Sequence, residues 1–256
     1  MLHTPRTICL HANSHNQDQT SHLITPQTLG YRVKPFVSLE VISAGEAFAS
    51  SEVLTSSDSG MAIIIFLLSG QADFSDSTHK QGCLKQHDVL WILSGSGIEY
   101  SLKPTTQDCI SIKLRIALSP ALERAPAQSI SLDSALIERD GPAQILLGQH
   151  GDVFSPLALP ALINYLVVTL AAGQAWVYEP PVNHRVAWVA VISGKINTSD
   201  VLIAADEIAA YENSNKSIRF LAEEDCVFLL GTSQQYTHEL AVEKHSLPRL
   251  GETFAA

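Results

Sequence analysis

Residues 60–104 read GMAIIIFLLSGQADFSDSTHKQGCLKQHDVLWILSGSGIEYSLKP, and this stretch decides the fold. An apolar run over 61–68 breaks at Ser69-Gly70. A second run, 71–74, enters a polar hairpin over 75–80, followed by Gly82-Cys83-Leu84 and a His87-Asp88 turn. A third run, 89–93, carries Trp91 and stops at Ser94-Gly95-Ser96-Gly97, after which 98–102 alternates. Short apolar or alternating runs punctuated by Gly, Ser and Asp are the signature of antiparallel strands joined by tight turns. Strands this closely spaced predict half of a small β-barrel.

The same grammar continues on both sides. Upstream, a strand over 37–42 meets the corner Ser43-Ala44-Gly45-Glu46, and a further strand is predicted over 47–54. Downstream, 109–116 alternates: Ile110, Ile112, Leu114 and Ile116 share one face, and Cys109, Ser111, Lys113 and Arg115 share the other. Residues 118–136 hold two prolines and little strand pattern, so they read as a connector. A second series of strands is predicted over 144–147, 164–171, 175–178, 187–192, 200–203, 207–210, 217–220 and 226–230.

The two series echo each other. Ser43-Ala44-Gly45-Glu46-Ala47 corresponds to Ala171-Ala172-Gly173-Gln174-Ala175, and Phe66-Leu67-Leu68-Ser69-Gly70 to Ala190-Val191-Ile192-Ser193-Gly194. An internal duplication with a period of about 125 residues predicts two similar barrels in tandem. The expected division is a first barrel with an N-terminal arm over 1–117, a linker over 118–138, a second barrel over 139–240 and a tail over 241–256. The arm, residues 1–28, is polar and holds His3, His11, His15 and His22. It reads as a loosely ordered cover on the first barrel, with metal capture by its histidines as the alternative.

Composition narrows the function classes. A chain of 256 residues that is 46% hydrophobic and 16% charged can bury substantial cores. Its longest apolar runs fall short of the roughly 20 residues that span a bilayer, and its first residues do not read as a signal peptide, so a cytoplasmic protein is expected. The net charge is −10 and no basic cluster stands out, which argues against nucleic-acid binding. Cys9, Cys83, Cys109 and Cys226 are widely spaced and form no Cys-x-x-Cys pair, as expected of free thiols in a reducing compartment.

Four segments together give the chain a family resemblance: LGYRVKPFVSLEVISAGEAF over 29–48, FLLSGQADF over 66–74, HDVLWILSGSGIEYS over 87–101 and ILLGQHGDVFSP over 145–156. In this order and at these separations they resemble the pirin family. The resemblance implies two tandem cupin (jelly-roll-like) β-barrels, an all-β bicupin. It also implies the family's metal site of three histidines and a glutamate in the first barrel, with iron or another divalent transition metal as the usual cofactor. The family is further associated with quercetin 2,3-dioxygenase activity and with regulatory protein contacts.

The residues themselves depart from that site. The family's first motif, His-Pro-His-x-Gly-Phe-Glu, falls on Ser56, Asp58 and Ala62 here, and the histidine and glutamate of its second motif fall on Tyr100 and Leu102. A transition metal needs about three N/O donors converging at roughly 2.0–2.2 Å. Only Asp58 and Tyr100 offer oxygen, and a phenol titrating near pH 10 is a poor ligand at neutrality. The expectation is therefore no metal cofactor and no catalytic residue. Strand alternation groups Ile98, Tyr100 and Leu102, and likewise Ala62, Ile64 and Phe66. If these faces line the barrel, it is either an apolar pocket for a small aromatic ligand or a barrel filled by side chains. In the second barrel, His184 beside Arg185 reads as a solvated rim residue, and His87 reads as a turn variant in place of glycine.

Three functions follow. The first is a non-catalytic small-ligand-binding or regulatory protein, acting through the emptied barrel or a protein partner. The second is a metal-dependent quercetin 2,3-dioxygenase holding its ion through Asp58 and the arm. The third is a thiol-based sensor of oxidative stress. In that reading Cys83 and Cys109 are the redox candidates, because Lys113 and Arg115 share the Cys109 face, while Cys226 lies buried and inert. The oligomeric state is left open, a dimer through exposed strands being one outcome.

Overall fold

Apolar runs with no polar face need cover on both sides, and the computed structural model supplies it. It describes residues 6–17, 19–45, 54–157, 159 and 162–237. The predicted strand over 47–54 is described only at its last residue, and His3 and the tail over 241–256 lie outside the described residues.

Strands β1 (Ile8–Asn13), β2 (His15–Gln17), β3 (Thr20–Ile24) and β4 (Phe36–Ser43) open the chain. The first barrel continues with β5 (Leu54–Asp58), β6 (Met61–Ser69), β7 (Ala72–Asp76), β8 (Gln81–Leu84), β9 (Val89–Leu93), β10 (Ile98–Pro104), β11 (Ile110–Ala117) and β12 (Gln128–Leu132). Next come β13 (Arg139–Asp140), β14 (Ala143–Leu147), β15 (Gln149–His150), β16 (Val153–Phe154), β17 (Ile163–Leu170) and β18 (Ala175–Tyr178). The chain closes with β19 (Val186–Ser193), β20 (Lys195–Thr198), β21 (Val201–Ala204), β22 (Glu207–Tyr211), β23 (Ile218–Ala222) and β24 (Cys226–Ser233).

Each barrel pairs a seven-stranded sheet with a four-stranded one. The first has the orders β12-β9-β6-β11-β4-β3-β2 and β5-β10-β7-β8; the second has β1-β22-β19-β24-β17-β14-β13 and β18-β23-β20-β21. Read position by position, the orders superpose, as the duplicated sequence predicts. One exchange breaks the parallel. The edge that β12 fills in the first barrel is filled in the second by β1, the N-terminal strand, whose Ile8 pairs with Tyr211 and whose Asn13 pairs with Glu207.

That exchange corrects two expectations. The arm is not a loose cover on the first barrel, because its first strand completes the second. Arg6, fully buried, ties it there by donating from Nε to the Glu212 carbonyl at 2.9 Å. Nor is 118–138 a plain connector, since β12 pairs with β9 along Gln128–Leu132. Sequence reading missed β1 and β12 because edge strands carry polar residues on one side and lack a continuous apolar run.

The two long sheets share one apolar layer. Ala62, Ile64, Phe66, Ile112, Leu114 and Ile116 from one sheet pack with Tyr165, Val167, Trp188, Ala190 and Ile208 from the other. Phe36 meets Trp188 edge-on across it, ring centres 5.3 Å apart. The first barrel's interior takes the opposite face of the same strands: Met61, Ile63, Ile65 and Leu67 with Ile98, Tyr100 and Leu102. The face of β6 expected to line the cup therefore points away from it, into the layer between barrels. No helix among the described residues is long and apolar enough to cross a membrane.

At the turn between β9 and β10, Gly95 takes φ +48°, and a Cβ there would collide with the Ala125 carbonyl. His87 adopts φ 70° and stacks on Phe66, ring centres 5.8 Å apart. It is a turn residue, as its sequence position predicts.

Candidate functional site

Register sets what the first cup contains. β10 pairs with β5 so that Tyr100 faces Ser56 and Ile98 faces Asp58. On the other wall, β11 pairs with β4 so that Lys113 faces Glu40 and Arg115 faces Ser38. The alternation that sends Ile112, Leu114 and Ile116 outward necessarily turns Ser111, Lys113 and Arg115 inward.

These side chains form one ionic cluster. The Arg115 guanidinium donates from Nε to Asp58 Oδ1 at 2.9 Å, and from Nη1 to Glu40 Oε1 at 2.6 Å and Ser38 Oγ at 3.2 Å. Lys113 Nζ reaches Glu40 Oε2 at 2.8 Å. Tyr100 donates its hydroxyl hydrogen to Asp58 Oδ2 at 2.8 Å. Two carboxylates and two cations thus balance inside the barrel, with side chains only 12–20% exposed.

The electrostatics follow the geometry. Burial alone would raise the Glu40 carboxyl, but Lys113 and Arg115 outweigh it and hold it below the usual carboxylate range. For Arg115, burial opposes the charge, and Glu40 and Asp58 more than restore it. Burial, then Asp58, pushes the Tyr100 phenol well above its ordinary value, so it stays a neutral donor. The space left beside Ser56, Tyr100, Leu102, Ser111 and Lys113 is about 10 Å³, room for about one water. Among the described residues, that gap is too small to hold the small aromatic ligand expected there.

Of the five positions matched to the family's metal site, Ser56, Asp58, Tyr100 and Leu102 meet in this cup. Ala62 does not: it is fully buried in the layer between barrels. Among the described residues, no three His, Cys, Asp or Glu side chains are placed to hold a metal ion. Glu40, Lys113 and Arg115 went unrecognised in the sequence. Their signal was the even spacing of Lys113 and Arg115 on one strand face, which reads as solvated unless both faces are known to be covered.

The thiols separate. Cys109 is buried at 2% exposure, and burial, then Asp108, pushes its thiol up to about 11. Lys113 and Arg115 do not activate it, since their charges are spent on Glu40 and Asp58. Cys83 is exposed, and desolvation, then Asp73, raises its thiol as well. Neither is the low-pKa thiolate that a redox sensor uses. Cys226 is buried with its thiol pushed up, as expected.

In the second barrel His184 is no rim residue. It is 2% exposed, and burial lowers its imidazole to about 4. Its Nδ1 lies 2.9 Å from Thr232 Oγ1, which is 2.8 Å from the Tyr178 hydroxyl, which in turn accepts from Asn164 Nδ2 at 3.0 Å.

Residues 16–115 match the family model described as Pirin. The chain is similar in structure to quercetin 2,3-dioxygenase from Acinetobacter baumannii, with a TM-score of 0.82 at 16% identity over 94% of each chain. It is also similar to GK1651 from Geobacillus kaustophilus, with a TM-score of 0.77 at 16% identity over 93% of this chain and 100% of that one. Bacterial pirin YhhW from Escherichia coli in complex with nickel(II) gives a TM-score of 0.68 at 14% identity, over 89% of this chain and 100% of its own. Among curated proteins, none matches the sequence.

Proposed function

We propose that this chain, which belongs to the pirin family, is a bicupin in which an internal ion-pair cluster stands in place of a metal centre, and that it acts by binding or regulation rather than by oxygen chemistry. The observation that carries this reading is Arg115, whose guanidinium sits between Asp58 and Glu40 in the first cup.

Among the described residues, an ion entering the cup would meet no imidazole, and Asp58 and Glu40 are already engaged. The two carboxylates are neutralised by Lys113 and Arg115, so the cluster is neutral overall and supplies no net negative charge to attract a cation. The donor set does not fit an oxygen-activating metal, which needs open coordination positions as well as ligands. Among the described residues, the gap of about 10 Å³ beside Tyr100 and Lys113 also leaves a flavonol no room there. Binding by this protein is then a property of its second barrel or its surface.

Metal analysis of the purified, untagged protein, together with oxygen uptake on quercetin, tests the reading. Metal far below one equivalent and no uptake above buffer are expected. Stoichiometric iron, nickel or copper with flavonol turnover would overturn it.

A further inference from the structure

The second barrel holds a site that the first cup's chemistry does not touch. A cavity of about 250 Å³ opens where β14 and β17 meet the turn containing Pro181 and Val182. Among the described residues, no charged side chain lines it. Phe154, Leu162 and Val182 stand at its wall with 61%, 53% and 80% of their surface exposed. Exposed apolar side chains gathered at one opening mark a binding surface more often than chance placement does. His184 lies deep on the same wall, almost wholly buried.

Hydrogen-bond direction fixes what His184 offers. The Gln149 N–H donates to Asn164 Oδ1 at 3.0 Å, and Asn164 Nδ2 donates to the Gln149 carbonyl at 2.6 Å, so this amide faces only one way. Its second Nδ2 hydrogen goes to the Tyr178 oxygen. Tyr178 is fully buried, and among the described residues its single hydrogen has one acceptor in reach, Thr232 Oγ1. Thr232, having accepted, must pass its own hydrogen on to His184 Nδ1. An imidazole whose Nδ1 accepts carries its hydrogen on Nε2. Burial keeps the ring uncharged at neutral pH. Among the described residues no hydrogen bond reaches Nε2, and it is not one of the fully enclosed side-chain atoms that lack a partner, so it is free to donate to a molecule in the cavity that His184 lines.

We propose that this cavity binds an uncharged, largely apolar small molecule of about one ring, whose carbonyl oxygen accepts a hydrogen bond from His184 Nε2. The lack of charged lining residues selects against ions, the Phe154, Leu162 and Val182 rim selects for apolar bulk, and one aligned donor selects for one acceptor. The volume lies just under the usual range of about 300–1,000 Å³ for ligand pockets, which limits the size. The site is independent of what the first cup holds, so its failure would leave the metal-free reading standing, and the reverse.

Long-range 1H–15N spectra of the full chain report the His184 tautomer directly. Acetophenone serves as the probe and α-methylstyrene as its control, alike in outline but with a methylene in place of the oxygen. We expect the Nε2–H tautomer at pH 7, an Nε2 resonance displaced by acetophenone, and binding of α-methylstyrene weaker by about tenfold, the worth of one neutral hydrogen bond. Thr232→Val should unfix the tautomer and weaken acetophenone alone. Val182→Glu, at an exposed rim position that tolerates change, should weaken both probes. A Nδ1–H or charged His184 at pH 7, no binding or equal binding of the two probes, or indifference to Val182→Glu would overturn the proposal.

Discussion

Replacing Arg115 with methionine is the sharpest perturbation of the first cup. The variant keeps most of the side chain's volume and removes the charge that binds Asp58 and Glu40 together. Breaking a buried ion pair from one side costs about 3–5 kcal/mol, because the partner is left charged and unpaired. Here Glu40 keeps Lys113 at 2.8 Å, so only Asp58 is stranded, with Tyr100 as its remaining donor. The lower end, about 3 kcal/mol, is therefore expected, equivalent to a fall of about 6–12 °C in Tm for a chain of this size. The loss should depend on pH with a defined sign. Glu40 is held below the ordinary glutamate value of 4.5, so its contribution is fully present above that value and is lost as pH falls through the lower folded value. Without Arg115 that depression is weaker, and the gap between wild type and variant should narrow from pH 7 to pH 3. Adding Asp58→Asn to Arg115→Met should restore part of the loss, since no charge is then stranded. Urea unfolding at several pH values measures all three. A variant within about 0.5 kcal/mol of wild type at pH 7, the usual range for a surface change, would refute the view that Arg115 holds the cup together.

Three further outcomes follow from the same structure. Tyr100→Phe removes one donor from Asp58 but leaves Arg115 in place, so a smaller loss of about 1–2 kcal/mol is expected in the same assay. Iodoacetamide should label Cys83 in the native protein and reach Cys109 only after denaturation, as read by peptide mass spectrometry; labelling of native Cys109 would contradict its burial. Gly95→Ala should destabilise the protein by more than about 2 kcal/mol, because the new Cβ meets the Ala125 carbonyl at a φ that L-residues avoid. Gly97→Ala, where a Cβ would meet nothing within 4 Å, isolates the cost of backbone strain alone.

Much of the architecture was legible because the turns announce themselves. The glycines at 95 and 97 bracket a turn, and the run ending at Leu93 coincides with β9 in full. The repeated Ser-Gly corner at 69–70 and 193–194 likewise fixed the duplication. The cup was harder to read for one physical reason. Where two sheets pack back to back, a strand such as β11 is covered on both sides. Alternation then says which residues share a face but not which face lines the barrel. Ile110, Ile112, Leu114 and Ile116 drew attention as the core, while Lys113 and Arg115 looked solvated although they are the cup's contents. His184 was misplaced for a related reason: its neighbour Arg185 is exposed, and burial of one residue in a turn leaves no periodic trace. The pairing of β1 with a strand about 200 residues away has no local signature at all.

That last pairing ties the order of synthesis to the order of assembly. β1 must wait for the later chain through Tyr211 to be made before its partner exists, so the second sheet's border stays open until then. Neither cup, cut free at the segment between them, would keep all its own edges: one half would carry a stray ribbon and the other a raw hydrogen-bonding rim. The two halves should therefore melt as one unit, and a truncation begun past residue 13 should damage the end of the protein farthest from the cut.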